Sequence, residues 1–337
     1  MKLDGWVKGS LTDSGVAARR LETLGYDGAF TFEGPHGPFF PLLLAAEHTE
    51  RIELMTNIAV AFARSPMDLA QIANDLQLAS NGRFILGLGS QIRPHIEKRF
   101  SMPWGHPVAR MRELVEAVRA IHRCWNDGAR LDFRGDYYTH TLMTPFFEPG
   151  PNPHGAPPIF VAGLGPRMTE MAAEVGDGLL IHPFNTERFV REQAAAAVER
   201  GLARSGRARE DFTVAVTTIV LTGGDEQELK RADAGVRRLL SFYGSTPAYR
   251  VTLDAHGWGD LQTELNTLSK QGRWDEMTGL IDDEIVDALA VRGEPASIGG
   301  RVRERYGGLA DRISFSMPYE PTAECMDGVL TGFRATA

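Results

Sequence analysis

The chain has 337 residues, 43% of them hydrophobic, and a formal net charge of −8. That is enough apolar material for a large core, and the wrong sign of charge for a nucleic-acid surface, which calls for a basic patch. No stretch approaches the roughly 18 uncharged apolar residues of a membrane-crossing helix. The opening MKLDGWVKGSLTDSG carries no apolar run behind its first lysine, so the expectation is a cytoplasmic protein with no membrane partner. Cys124 and Cys325 lie far apart without CxxC spacing, which points away from disulfides and from a thiolate metal site; Cys124, beside Trp125 on an apolar helical face, reads as core.

Strand-like and helical runs then alternate. Residues 3–7 read as a short strand, and a helix opens near the cap candidates Thr12, Asp13 and Ser14 and stops at Gly25. A second strand follows at 28–34 and a third at 52–60. Pro66 behind Ser65 marks the first turn of a helix that buries Leu69, Ala73 and Leu76 and ends at Asn81 and Gly82. The fourth strand is 83–89. A long connection containing His95, Trp104 and His106 leads into an amphipathic helix with Met111, Leu114, Val115, Val118, Ile121 and Trp125 on one face. His122 lies on that stripe and reads as a satisfied buried histidine, since metal ligation needs partners the sequence does not offer. Residues 143–158 are Pro-rich and suit a lid or covering loop. Strand five (159–162), a tight turn (163–166), a helix from Met168 to Val175 with proline at its start, and strand six (178–182) come next. Strand seven is 212–222 and strand eight 313–317. Between them, apolar residues at helical spacing run from Leu229 through Leu240, Leu261, Leu268 and Met277 to Ile285, more helix than one barrel unit needs.

Eight strands, each followed by a helix or helical insertion, make an α/β fold of the (β/α)8 TIM-barrel type the economical architecture, with a doubly wound sheet as the alternative. The expected organisation is one domain over residues 1–337, with insertions at about 92–108 and 242–295. In such a barrel, function sits where the strands end. That rule selects Glu33 and, three places on, His36; Thr56, Asn57 and Ile58; Gly89, Ser90 and Gln91; Gly163, Leu164 and Gly165; and His182. The segments GRFILGLGSQIRPH and PPIFVAGLGPRM both pass from a buried strand through Gly-x-Gly into a polar or helical stretch, a turn that aims backbone N–H groups at one point and suits a phosphate ester. A plain strand-to-helix turn is the alternative for either alone. Walker, Rossmann, GxSxG, HExxH and zinc-deaminase patterns are absent. A rim poor in nucleophiles with a phosphate grip fits a bound redox cofactor that supplies the chemistry.

The order of ETLGYDGAFTFEG, IELMTNIAVAFARSPMDLA, NGRFILGLGSQIRPHIEKRF and PPIFVAGLGPRMTEMAAEVGDGLLIHPF resembles the bacterial luciferase-like flavin and deazaflavin oxidoreductases over nearly the whole chain. GLGSQIRPHIEKRF together with FYGSTPAYR is similar to the branch that uses the deazaflavin coenzyme F420. The resemblance implies a luciferase-like barrel with F420 as cofactor, FMN as the alternative, and hydride transfer between the deazaflavin C5 and a small organic substrate. It implies a non-proline cis peptide at Asn57–Ile58 behind the ring, and Glu33 or His36 as the proton carrier, with His182, which is also counted among the cofactor-binding positions, in reserve. Relatives acting on sugars or alcohols carry Asp-His where this chain has Glu33 and Gly34. Gly89, Ser90 and Gln91, with Ala162, Gly163, Leu164, Gly165 and Pro166, match positions that hold the ribityl chain and phosphate, and Arg93 is a candidate charge partner. No metal is implied. The resemblance also implies a homo-oligomer, a dimer in most of the family. Two other readings stand beside it: an FMN-dependent two-component monooxygenase, and a non-catalytic F420- or flavin-binding protein.

Overall fold

The structure, a computed structural model, describes residues 1–335. Eight parallel strands, β1 (Lys2–Trp6), β2 (Gly28–Thr31), β3 (Glu53–Thr56), β4 (Phe84–Gly89), β5 (Ile159–Ala162), β6 (Gly178–Ile181), β7 (Thr213–Leu221) and β8 (Arg312–Ser316), pair in sequence order, and β8 pairs back to β1. The ring is a closed barrel, so the doubly wound alternative is excluded. Strands in such a ring are covered on both faces, which is why β4 (FILGLG) and β6 (GLLI) read as unbroken buried runs instead of alternating ones.

Helices α1 (Ser14–Thr23), α2 (Phe39–His48), α3 (Pro66–Ala79), α4 (Pro107–Asp127), α5 (Pro166–Val175) and α6 (Ala195–Ser205) form most of the outer layer. Helices α7 (Glu226–Gly244), α8 (Gly259–Lys270), α9 (Asp283–Leu289), α10 (Pro295–Tyr306) and α11 (Ala323–Ala335) complete the chain. Helix α3 starts as its sequence dictates: Ser65 Oγ accepts the Asp68 N–H at 3.1 Å and Pro66 takes the first helical position. His122 on α4 is 3% exposed and its Nε2 lies 3.1 Å from the Ala70 carbonyl, and Cys124 is 5% exposed; both belong to the core, and burial pushes the His122 pKa down. No helix among the described residues is long and apolar enough to cross a membrane.

Several elements depart from the sequence expectation. Strand three stops at Thr56. The Asn57–Ile58 peptide is cis, and the chain resumes as Ala59–Val60 paired to the far end of β4. The stretch after Glu33 yields α2, whose FFPLLLAAEH is apolar almost all round and carries no helical period to read. The segment 92–108 contains a π-helical turn, His95–Arg99, and a short antiparallel pair, Phe133–Arg134 with Thr139–His140, precedes the irregular 143–158 stretch. Between α9 and α10, Ala290–Arg292 adds a parallel strand to the upper end of β7. Ile219, Leu221, Val236, Leu240, Leu265, Met277 and Ile285 form a second core there, so the long insertion has its own packing beside the barrel.

Candidate functional site

Because side chains alternate across a strand, the inward set can be followed around the ring. Phe30, Met55, Ile85, Phe160, Leu180 and Ala215 form one apolar cluster inside the barrel, none more than 7% exposed. Two residues further along the same strands come Phe32, Asn57, Gly87, Ala162, His182 and Thr217; Trp6 and Ser316 occupy the corresponding places beyond β1 Asp4 and β8 Ser314. Here the exposure changes sharply. Trp6 is 42% and Phe32 44% exposed, their rings 5.3 Å apart, and Asn57, Ala162, His182, Thr217 and Ser316 are half-buried. The barrel therefore ends in a cup with an apolar floor and an accessible, largely uncharged rim.

At the β3–β4 side of the cup, the Thr56 hydroxyl donates to the Gly87 carbonyl at 2.7 Å and accepts the Gly87 N–H at 2.9 Å. A Cβ at Gly87 would collide with the Thr56 carbonyl oxygen, so only glycine permits this approach. Beyond it the Glu33 N–H donates to the Ile58 carbonyl at 3.0 Å. The Glu33 carboxylate, 8% exposed, accepts from the Val60 N–H at 2.7 Å and from both terminal nitrogens of Arg64 at 2.7 and 3.0 Å. Both oxygens are thus engaged and the charge is neutralised. Glu33 fastens the 58–60 segment, and this geometry serves positioning better than the proton transfer expected of it. A Cβ at Gly89 would lie 2.8 Å from the Ile58 side chain, so Glu33, Ile58 and Gly89 meet in one corner. Gln91 has a left-handed φ of 58°, and the Ser90 hydroxyl donates to its carbonyl at 3.1 Å.

Two expected residues stand apart from that corner. His36 is exposed and has no hydrogen-bond partner among the described residues. Arg93, expected to meet an anion, donates from Nε to both Glu97 oxygens at 3.0 Å in an exposed pair. Arg99 donates to the Gly34 carbonyl and so ties the 92–108 segment to the loop after β2.

The β5–α5 turn differs in kind. Gly165 caps the helix in an extended conformation, φ −71° and ψ 146°, and Pro166 is its first residue. The N–H of Gly163 is used on the Leu180 carbonyl, but those of Leu164, Gly165 and Arg167 reach no acceptor among the described residues. A Cβ at Gly165 would meet nothing within 4 Å. Consecutive unclaimed donors at a helix N-terminus, beside open space, are what an anion such as a phosphate ester requires. The sequence identified this turn correctly as a structural feature.

His182 closes the opposite side. Its Nδ1 accepts the Phe184 N–H at 3.1 Å, which leaves the ring proton on Nε2, and Nε2 has no hydrogen-bond partner among the described residues. The ring lies 4.3 Å from Tyr249 and 4.7 Å from Tyr243, centroid to centroid; Tyr243 is in the last turn of α7 and Tyr249 in the connection that follows that helix. Burial pushes the His182 pKa down to about 3 and that of Tyr249 up to about 12, so both are neutral near pH 7. Trp6, Phe32 and Arg64 were not found from the sequence, although Trp6 and Phe32 carried a signal, since each follows an inward residue by two. Tyr243 and Tyr249 lie in the FYGSTPAYR stretch that carries the family resemblance, but nothing local to them shows that the insertion brings them to β6. No group of three His, Cys, Asp or Glu side chains among the described residues is placed to hold a metal.

These features can be set against known proteins. An uncharacterized protein of Mycobacterium bovis is 53% identical over 334 residues, covering 99% of this chain and 98% of its own. The 5,10-methylenetetrahydromethanopterin reductase of Archaeoglobus fulgidus is 28% identical over 271 residues, 78% of this chain and 76% of the relative. Among solved structures, the coenzyme F420-dependent tetrahydromethanopterin reductase of Methanopyrus kandleri superposes with a TM-score of 0.77 at 19% identity, over 98% of this chain and 96% of that one, a likeness of fold. The family described as luciferase-like monooxygenase matches residues 7–312, from just past β1 into β8. That match takes in six of the eight barrel strands whole, β2 to β7, and the chain belongs to the luciferase-like monooxygenase family.

Proposed function

We propose that this protein is an F420-dependent oxidoreductase that moves hydride between the deazaflavin and a small organic substrate bound in the cup. The observation that carries the reading is the β5–α5 turn, where the N–H groups of Leu164, Gly165 and Arg167 stand unclaimed beside the space above Gly165. A bound deazaflavin would supply the hydride chemistry at its C5. The chain's own residues would bind and orient it: the N–H groups of Leu164, Gly165 and Arg167 would hold the phosphate in the turn that Gly163 and Pro166 shape, Ala162, Ser90 and Gln91 would meet the ribityl chain, and Asn57, Ile58 and Gly89 would back the ring. Glu33 with Arg64 keeps the 58–60 segment in place, Trp6 and Phe32 exclude water from the far side, and His36 is the exposed candidate for exchanging a proton with solvent. The reading is supported by the family, whose members are enzymes, and by the F420-dependent reductase that shares the fold.

One observation favours the FMN alternative. Arg93 and Arg99 are engaged within the protein, which leaves Lys98 alone in that run to meet the acidic tail that distinguishes F420 from FMN. Fluorescence titration of the purified protein with F420 and with FMN decides between them. F420 is expected to bind more tightly. Micromolar FMN binding with no detectable F420 binding overturns the proposal in favour of a two-component monooxygenase, and tight F420 binding with no turnover of any substrate overturns the enzymatic part in favour of a carrier.

A further inference from the structure

The hydride-transfer reading leaves the substrate open, and the rim of the cup narrows it. In an eight-stranded ring, β6 stands diametrically across from β2, so His182 faces Phe32 over the mouth. On the β1–β2 side, Trp6 and Phe32 turn ring surface outward, each more than two-fifths exposed although their strand positions point to the barrel axis. On the β6 side, Tyr243 and Tyr249 pack around His182 and hold its ring with Nε2–H free. No residue two steps above the apolar floor carries a formal charge, and the charges that border the rim are paired: Lys8, 5.5 Å over the Trp6 ring, with Glu320 at 3.3 Å, and Glu33 with Arg64. A charged substrate would be stripped of water there without an ion to replace it.

We propose that the cup selects an uncharged aromatic carbonyl compound, its ring held between the Trp6–Phe32 pair and Tyr249 and its carbonyl oxygen accepting the Nε2–H of His182. This rests on the reading that the cup is the substrate site of the oxidoreductase. Aromatic rings gain from offset or edge contacts beyond the area they bury, which distinguishes a flat ring from an aliphatic one of the same size. A single neutral donor fixes one acceptor and rejects an analogue that lacks it. His182 and Tyr249 are then specificity-determining residues supplied by β6 and by the insertion. Their part in the protein is to sort substrates and not to hold the cofactor.

Four probes of matched size separate the contributions: acetophenone, ethylbenzene without the acceptor, benzoate with a charge, and cyclohexyl methyl ketone without the aromatic ring. Binding to the full chain is measured by ligand-observed NMR, on the free protein and with oxidised F420 present, and F420 affinity is measured by fluorescence on the same samples. Acetophenone is expected to bind at least tenfold more tightly than each of the other three. His182→Phe should bring acetophenone down to the level of ethylbenzene. Tyr249→Leu, which leaves the His182 bond to the Phe184 N–H untouched, should weaken acetophenone several-fold, with F420 affinity unchanged in both variants. Benzoate or cyclohexyl methyl ketone binding as well as acetophenone, no acetophenone binding at all, or folded variants that bind it normally would each overturn the substrate proposal while F420 binding leaves the cofactor reading standing. Loss of F420 binding with the predicted probe ranking intact would overturn the cofactor reading alone.

Discussion

The two ends of this barrel are made from the same eight strands and the same alternation, yet they treat polar groups in opposite ways. At the end opposite the cup, Arg312 of β8 donates to Asp4 of β1 from Nε at 2.9 Å and from a second nitrogen, and reaches Glu53 of β3 as well. Arg312 and Asp4 are 4% and 3% exposed, and a Cβ at Gly28 would strike both, so glycine makes room for the pair. Every charge there is answered by another. At the mouth, the Nε2–H of His182 and the N–H groups of Leu164, Gly165 and Arg167 have no acceptor among the described residues, and aromatic surface stands open. Open donors around an accessible cup suit the end that meets a ligand, and the closed ion-pair network suits the end that serves stability, as the general division of labour in such barrels leads one to expect.

The sharpest way to break this contrast is to damage the ion-paired end and ask whether the mouth notices. Arg312→Leu leaves Asp4 buried without its partner, and breaking one side of a buried pair costs about 3–5 kcal/mol. Urea unfolding should show a loss of that order at neutral pH, while the folded fraction keeps its cofactor affinity. Burial raises the Asp4 pKa even with Arg312 beside it, so protonation of Asp4 should shrink the penalty as the pH falls. A stable variant with lost cofactor binding would place function at the wrong end.

How much of this was legible in the chain follows the same division. The strands of the ring were, most plainly β4, β5 and β6, which burial on both faces writes as continuous apolar runs, and the β5–α5 turn was, because Gly-x-Gly-Pro announces both a close approach and a helix start. The interruption of strand three was not visible as spacing: Thr56 and Asn57 in the otherwise mostly apolar 52–60 stretch suit a continuous strand as well as a broken one, and only the family resemblance pointed to the Asn57–Ile58 bond, which is indeed cis. Glu33 was found by position, but its partner Arg64 lies 31 residues away and nothing local joins them. The Ala290–Arg292 strand was hidden for a similar reason. Three residues at the end of a helical stretch have too little length to show a period, and their pairing partner at the upper end of β7 is remote.

A smaller effect separates His182 from an ordinary rim histidine. Its folded pKa of about 3 lies below the value near 6.5 expected when unfolded, so between those limits the unfolded chain binds a proton that the native one refuses. Its contribution is present in full above about pH 6.5 and is lost as the pH falls toward 3. Between pH 6 and 5, where most carboxylates remain ionised, the stability of the native protein should fall with a slope nearly one proton greater than that of His182→Gln. Equal slopes in urea melts of the two proteins would mean that the imidazole is solvated and that the aromatic wall around it is looser than the 4.3 Å contact implies.

The finest test concerns the turn, where a single side chain can be added without touching the barrel. Gly165 is not in a left-handed conformation, so valine can adopt its φ of −71°, and the new Cβ would meet no atom within 4 Å. The fold should therefore accept Gly165→Val at a cost of about 1 kcal/mol or less, the difference between glycine and a β-branched residue as a helix N-cap. The added methyls would occupy the space in front of the Leu164 and Arg167 N–H groups, the space that an anion needs in order to approach within the roughly 2.7–3.2 Å of a hydrogen bond. Cofactor affinity should fall about tenfold or more, which corresponds to about 1.4 kcal/mol, with the melting temperature nearly unchanged. If the variant is stable and binds cofactor as the parent does, the open donors at α5 belong to the architecture of the helix end, and the phosphate has to be sought at Gly89 to Gln91 instead.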